Sequence, residues 1–364
     1  MTPTKEGFHP EKFSNYRIAA QNYLKGLNIS SEVKPNFIII TDRSPNLLGR
    51  QVLANNLALL TGENYPKSKR RYLSFKDDER PEKVEETIKE ILEQSKDTVV
   101  ILLSGQHNWR FGVYDSVEKG NQLHPNVIRF AYSPGLTASD SYILEQMDGA
   151  VQKKIIAEVE KRSRWFNEKQ SGELTIKTGI KQEHSLTLFF NMDKAPVISS
   201  TGFLTDSNQK GNVPSGEAHL VPYPFNKSDG EIETTSGLII KIQNGLATFI
   251  DITNSHDLTN AEKLLVDLVN LRRDDEEGIP LAELGLGVLE NLGIKTKVDD
   301  SNPDGQMSML TLEKLRLHLG FGVIAGVSTE KEEIKSKLKR GQSHTDVLLS
   351  NPSILFRDEE VNFD

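Results

Sequence analysis

The sequence predicts a mixed α/β fold: an N-terminal parallel-sheet α/β domain over residues 1–170, followed by a β-rich α+β domain over residues 171–364 that would contain a metal site. Three observations predict this organisation. Continuous apolar runs alternate with helical periodicity in the first half, whereas the second half has short β-segments separated by turn residues. The length of 364 residues suits two domains.

The strands of the first domain are predicted from short apolar runs at 36–41, 98–103 and 127–132. Such runs are typical of strands buried on both faces of a parallel sheet. Helical periodicity appears between and around them. The predicted helices cover 11–26, 47–60, 81–94 and 138–166, the last as one long helix or a helix pair. Strand, helix and strand in repetition imply right-handed crossovers.

The second domain is predicted from a change of pattern after the polar stretch 168–172. Its β-segments are predicted at 174–178, 184–190, 238–242 and 247–252. Asn244-Gly245 between the last two is a hairpin signal, because this pair favours the left-handed angles of a two-residue turn. An amphipathic helix is predicted at 260–272.

Composition excludes several classes of function. The net charge of −8 argues against a general nucleic-acid binder, which needs a basic surface. The absence of cysteine excludes disulfides and thiolate metal sites, and it fits a cytoplasmic protein. The first residues lack the apolar core of a signal peptide, and no apolar run approaches the roughly 20 residues that span a bilayer. We therefore expect a soluble, cytoplasmic protein without a membrane partner.

Five side chains in glycine-containing settings are the candidate metal ligands: Glu217, Glu283, His318, His344 and Asp346. A turn rich in glycine and proline precedes Glu217 and can hold it in one position. In an extended segment, His344 and Asp346 at i and i+2 face the same way. Carboxylate and imidazole donors without thiols suit one or two divalent ions such as Zn, Mn, Co or Fe(II).

Two further histidines have no assigned role. His107 follows a predicted strand at the end where α/β folds place their sites, and His219 is close to Glu217 in sequence. A polar loop position is the favoured explanation for His107. No phosphate-binding glycine motif follows any predicted strand, which argues against a nucleotide site.

In the order and spacing of the five candidates, the sequence resembles the aminopeptidase T family of metallopeptidases. That family has a Pro-x-Gly-Glu turn, a Glu in a Gly-rich setting, a His before a Gly, and a C-terminal His-x-Asp. The resemblance covers about residues 200–350. It implies that the five candidates are metal ligands, that Glu217 or Glu283 is the catalytic base or a bridging ligand, and that the protein is a homodimer acting on peptides or a related small amide.

The sequence departs from this family at two places. Lys314 stands where the family often has Asn, although Glu313 before it is retained. No tyrosine follows His318 in Leu-Gly-Phe-Gly-Val-Ile-Ala, so a donor that would stabilise the tetrahedral intermediate is missing.

Two alternatives to the hydrolase therefore stay open. The wider group includes Fe(II) dioxygenases that open dihydroxypyridine rings, and His318, His344 and Asp346 could form their triad of two histidines and one carboxylate. The chain length and the missing tyrosine favour this alternative, whereas the two glutamates favour the two-metal hydrolase. The other alternative is a non-catalytic binding or biosynthetic protein with a structural metal.

Overall fold

The computed structural model describes residues 14–361 except 31, 45–47, 77–78, 106–111, 114–121, 207–208, 254, 272–277, 299–305 and 323–343. At residues 225, 309, 310 and 344 it describes the backbone alone. The chain forms two compact units that interleave along the sequence. Unit 1 comprises 1–156, 200–216 and 290–312, and unit 2 comprises 157–199, 217–289 and 313–364. The two units are defined by which residues pack together, and they do not test whether the chain has two independently folding domains. The domain boundary near residue 170 therefore stays a prediction.

Unit 1 contains a parallel sheet with helices. Its strands are β1 (Asn36–Arg43), β2 (Arg70–Lys76), β3 (Thr98–Leu103), β4 (Val127–Tyr132) and β8 (Lys210–Asn212), and its helices are α1 (Tyr16–Gly26), α2 (Leu48–Asn64), α3 (Pro81–Glu93) and α4 (Ala138–Gln146). Among the described residues the strand order is β2-β1-β3-β4-β8, with every neighbouring pair parallel. The prediction that the three apolar runs share one parallel sheet is confirmed.

Burial explains why these runs become strands. Every residue of β3 is buried, and its side chains join those of β1, β4 and α3 in one core that includes Ile38, Val100 and Phe130. The predicted helix at 138–166 is a pair, α4 and α5 (Gly149–Lys169). Among the described residues, no helix combines the length and apolarity needed to cross a bilayer.

Unit 2 contains a large antiparallel sheet. Its strands are β5 (Ser171–Thr178), β6 (His184–Asn191), β7 (Ile198–Ser200), β9 (Glu217–Leu220), β10 (Asp229–Glu233), β11 (Ile239–Gln243), β12 (Leu246–Asp251), β13 (Ile279–Gly287), β14 (Leu317–Gly322), β15 (His344–Leu348), β16 (Ser353–Phe356) and β17 (Glu359–Glu360). The main path runs β15-β14-β13-β12-β11-β10-β6-β5-β16-β17, and β9 pairs with β13 beside it. The predicted β-rich character of the second half is confirmed, and the structure shows that its sheet is antiparallel.

Helices also accompany this sheet. Helix α6 (Leu258–Leu271) contributes Ala261, Leu268 and Leu271 to the main core of unit 2. A short helix, α7 (Met309–Leu315), directly precedes β14. The predicted hairpin is present: Gln243 pairs with Leu246, and Asn244 and Gly245 between them have φ angles of 52° and 76°.

Candidate metal centre

Four strands of unit 2 form a sheet segment with one apolar and one polar face. Alternate residues of β9, β13, β14 and β15 enter the core, including Leu220, Leu284, Leu286, Leu319 and Val347. The residues between them lie on the opposite face, because side chains alternate along a strand. The repeats Glu-Leu-Gly-Leu-Gly and His-Leu-Gly-Phe-Gly therefore place leucine and phenylalanine on one face, with glycine and the ionisable residues on the other.

The register brings the candidate ligands into adjacent rows. Gly285 of β13 pairs with His318 on one side and with His219 on the other. Gly320 of β14 pairs with Glu283 on one side and with Asp346 on the other. Residues paired across a ladder have side chains on the same face. Strand pairing, rather than a loop, thus positions these groups.

Glycine is required beneath the imidazole of His318. A Cβ at Gly285 would lie 2.0 Å from Cε1 and 2.1 Å from Nε2 of that ring. At Gly287, a Cβ would lie 2.6 Å from the backbone N of Arg316. The two glycines of β13 therefore let the ring and the turn before β14 pack directly against the strand.

The Nε2 atom of His318 is the point on which the carboxylates converge. It lies 3.4 Å from Glu283 Oε1, 3.6 Å from Glu217 Oε2 and 4.0 Å from Asp346 Oδ1. The His318 side chain is 0% exposed, and Glu217 is 3% exposed. Three of the sequence-predicted ligands, Glu217, Glu283 and His318, have donor atoms within 4.8 Å of one another, and so do Glu313, His318 and Asp346.

A buried lysine lies at the same site. The Nζ atom of Lys314 donates to Glu217 Oε1 and to Glu313 Oε1, and both contacts are short. Lys314 is 1% exposed and Glu313 is 8% exposed. Lysine is almost never fully buried without paired charges, and here two carboxylates supply them.

The electrostatics follow from burial and from these neighbours. Burial disfavours the Lys314 ammonium, but Glu217 and Glu313 outweigh it and raise the pKa of Lys314 above its usual value. Burial also disfavours ionised Glu217, but Lys314, with His219 and His318, holds the pKa of Glu217 well below its usual range. Burial raises the pKa of Glu313 well above its usual value; Lys314 opposes the rise and Asp346 adds to it.

Both imidazoles favour protonation in the metal-free site. Burial lowers the pKa of His318. The carboxylates of Glu283, Asp346 and Glu217 raise it by more than burial lowers it, so the pKa of His318 is above its usual value. The pKa of His219 is raised in the same way, by Glu283 and Glu217 against burial. A cation bound at His318 Nε2 would replace the proton on that atom.

The donor set fits a divalent metal. Glu217 Oε2, His219 Nδ1 and His318 Nε2 are buried and have no hydrogen-bond partner among the described residues. Leaving buried polar atoms unpaired costs free energy, and convergent imidazole and carboxylate atoms are the usual ligands of Zn, Mn and Fe(II). A bound ion would give the buried donor atoms that face it, such as His318 Nε2 and Glu217 Oε2, the partner that they lack.

Four of the five sequence-predicted ligands converge on the polar face of the four strands: Glu217, Glu283, His318 and Asp346. The other sequence-predicted histidines are His344, His107 and His219. His344 lies in β15 opposite Gly322, two residues before Asp346, and only its backbone is described. His107 lies outside the described residues. His219, left open from sequence, lies at the site with Nδ1 at 3.4 Å from Glu217 Oε1.

Sequence reasoning missed Glu313 and Lys314 as members of the cluster. Both were visible as departures or remnants of the aminopeptidase pattern just before β14. Their position next to Glu217, which is far away in sequence, depends on the pairing of β9, β13 and β14. A lysine in this place had no signal of its own, because most lysines are exposed.

A second group with metal-ligand spacing, Glu183, His184 and Glu233, differs in exposure. His184 Nδ1 lies 2.8 Å from Glu231 Oε1, and Glu183 is exposed. An ordinary hydrogen bond between a histidine and a partly exposed carboxylate accounts for the position of His184.

No family model matches the chain, and no curated protein matches it. Among solved structures, the chain is similar to 2,5-dihydroxypyridine dioxygenase from Pseudomonas putida KT2440. The sequence identity is 11%, the TM-score is 0.59, and the match covers 98% of this chain and 96% of that chain. This likeness establishes a shared fold. It shows the fold alone, and aminopeptidase T receives no support from these comparisons.

Proposed function

We propose that this chain is a metal-dependent enzyme, and that its reaction is the dioxygen-dependent opening of a dihydroxylated aromatic ring at Fe(II). One observation carries the proposal. His318 Nε2 is buried and has no hydrogen-bond partner among the described residues, yet oxygens of three carboxylates lie within 4.0 Å of it. The fold-level likeness to a dihydroxypyridine dioxygenase favours ring opening over the other metal chemistries.

The residues proposed to hold the ion are His318, Asp346 and His344, with Glu283 and Glu217 beside them. Two histidines and one carboxylate on one side of Fe(II) leave coordination positions open. His344 enters this set by its position in β15, two residues before Asp346. When bound, Fe(II) would supply the redox chemistry and the open positions that aromatic hydroxyls and dioxygen require.

The remaining groups of the chain would orient the substrate and handle its protons. Glu283 is the carboxylate nearest to His318 Nε2 and is proposed as the base that accepts a proton from an aromatic hydroxyl. The side chain of His219 is 15% exposed, so it is proposed to hold a proton at the accessible edge of the site. The apolar residues behind the four strands would exclude water from the rear of the centre.

The metallo-aminopeptidase interpretation rests on the buried pair Glu217 and Glu283, which could act as a bridging ligand and a base. Two features disfavour it. Lys314 occupies one oxygen of Glu217, and no tyrosine follows His318 within the segment where the family has one. A non-catalytic metal-binding protein would keep the ion but turn over neither kind of substrate.

The test is a dioxygen-uptake assay on protein loaded anaerobically with Fe(II). The substrates are 2,5-dihydroxypyridine and a set of dihydroxybenzenes, with ring opening followed by absorbance. Asp346→Asn is expected to abolish uptake. The matched control is Asp193→Asn, an exposed carboxylate in unit 2 outside the cluster, which should leave uptake unchanged.

A parallel assay uses protein loaded with Zn, Co or Mn and an aminoacyl p-nitroanilide. Hydrolysis there, without dioxygen uptake in the iron form, would overturn the dioxygenase proposal in favour of the aminopeptidase. Bound iron with neither activity would favour the binding protein.

A further inference from the structure

Lys314 is more than a neighbour of the metal centre, because its ammonium lies between two of the centre's carboxylates. It donates to one oxygen of Glu217 and to one oxygen of Glu313. In a two-metal site, carboxylates in such positions hold and bridge ions that lie roughly 3.5–4 Å apart. Here both oxygens already bind a fixed positive charge.

The backbone holds Lys314 firmly in this position. Its carbonyl accepts from the N–H of Leu289 at 3.0 Å, and its carbonyl carbon lies 2.6 Å from where a Cβ of Gly287 would be. The side chain is 2% exposed. Burial of the side chain and the pairing of its backbone thus place the ammonium inside unit 2, away from solvent.

The carboxylate oxygens that Lys314 does not contact lie near one atom, His318 Nε2, and belong to two overlapping groups that share this histidine. Glu217 Oε2, Glu283 Oε1 and Asp346 Oδ1 all lie 3.4–4.0 Å from His318 Nε2. Ligand atoms around one ion at bond lengths of about 2.1 Å are separated by roughly 3.0–3.4 Å, so these atoms need to move inward only slightly. Each group has the donor atoms to face one ion, but a second ion would also need Glu217 Oε1 and Glu313 Oε1, which Lys314 already binds.

We infer that the Lys314 ammonium is a built-in cation that takes the place of a second metal ion, so that the centre binds one divalent ion per chain. This inference rests on the metal centre of the proposed function and adds its stoichiometry and the residue that sets it. It also explains why Glu217 and Glu313 remain buried carboxylates: they bind the lysine on one side while Glu217 faces the ion on the other.

The experiment measures metal stoichiometry in the full chain. Mn(II) is titrated into metal-free protein by calorimetry, and bound metal is counted after gel filtration. The wild type is expected to bind one ion, and Lys314→Ala, which removes the charge and opens space, is expected to bind two. Adding Glu313→Gln to Lys314→Ala should return the number to one. Electron paramagnetic resonance should report exchange-coupled Mn(II) only in Lys314→Ala.

Two results would overturn the inference: two ions in the wild type, or one ion in a folded Lys314→Ala variant. Should Lys314→Ala fail to fold, Lys314→Ser, which also removes the charge and opens space, is expected to bind two ions, and one ion in that folded variant would overturn the inference. Failure of the proposed function is seen separately. One bound ion without dioxygen uptake refutes the dioxygenase and leaves the inference standing, whereas two bound ions with uptake do the reverse.

Discussion

The two units each bury an acid–base cluster, and the two clusters differ in their charge balance. In unit 1, Asp42 and Arg50 are both 0% exposed. Asp42 accepts from Arg50 Nη1, from the backbone N of Gly105 at 2.7 Å and from Ser104 Oγ at 3.3 Å. Arg50 also donates from Nε to the carbonyl of Leu136 at 3.1 Å. One acid faces one base, and the carboxylate is fully satisfied.

In unit 2, one ammonium faces an excess of carboxylates. Lys314 binds Glu217 and Glu313, while Glu283 and Asp346 lie nearby around His318. Buried imidazole and carboxylate atoms here lack partners among the described residues. The comparison teaches that a balanced buried pair is explained by the fold alone, whereas an excess of carboxylates around a buried imidazole nitrogen without a hydrogen bond favours binding of a cation.

The largest expected effect is loss of metal on removal of His318. His318→Ala should weaken binding of Mn(II) or Fe(II) by more than the roughly 100-fold that follows loss of an outer-shell partner, because the central donor is gone. Metal content and circular dichroism check this. His184→Ala is the matched control, since that histidine belongs to the hydrogen-bonded pair with Glu231. Equal metal content in His318→Ala and His184→Ala would disprove the proposed metal centre.

The next effect tests the balanced cluster of unit 1. Arg50→Met leaves Asp42 as an uncompensated buried carboxylate, so the free energy of unfolding should fall by about 3–5 kcal/mol. Adding Asp42→Asn should recover a large part of that loss. Urea denaturation measures both. The metal content of both variants should equal that of the wild type. Loss of metal from a folded variant would contradict the view that the Asp42–Arg50 pair stabilises unit 1 without contributing to the metal centre.

A smaller effect is expected at the glycine beneath His318. Gly285→Ala introduces a Cβ 2.1 Å from Nε2, so the ring must move and metal affinity should fall by roughly 10- to 100-fold, as when a ligand loses its orientation. Gly149→Ala is the control, because its Cβ would meet no atom within 4 Å. Calorimetric titration compares them. Unchanged affinity in Gly285→Ala would show that the ring position does not matter.

The smallest effect is a pH dependence of metal binding. The pKa of His318 is raised in the metal-free site, so this imidazole still holds a proton at a pH where an ordinary histidine has lost it. The proton then competes with the metal ion for Nε2. Affinity should rise with pH by up to about tenfold per unit and level off once pH exceeds that raised pKa. Titrations from pH 5.5 to 9 measure this. A flat profile would mean that the ion does not displace a proton from His318.

Much of the fold could be predicted because its signals are local. The apolar runs of β1, β3 and β4 specify buried strands, and Asn244-Gly245 specifies a two-residue turn. Four of the five candidate ligands, which were proposed from the order and spacing that resemble aminopeptidase T, lie close together in the structure, and their role as ligands stays a prediction. The interleaving of the two units was not predicted, since no local composition marks where the chain returns to the first unit.

What only the tertiary structure decided is which charges share one pocket. Glu217 meets Lys314 because β9 and the segment before β14 lie near opposite edges of β13, and long-range strand pairing leaves no mark at either position in the sequence. The same pairing makes His219 a neighbour of His318 across Gly285. The sequence by itself determined the alternation that separates the core face from the ligand face. Register, a property of non-local hydrogen bonds, decided the composition of the site.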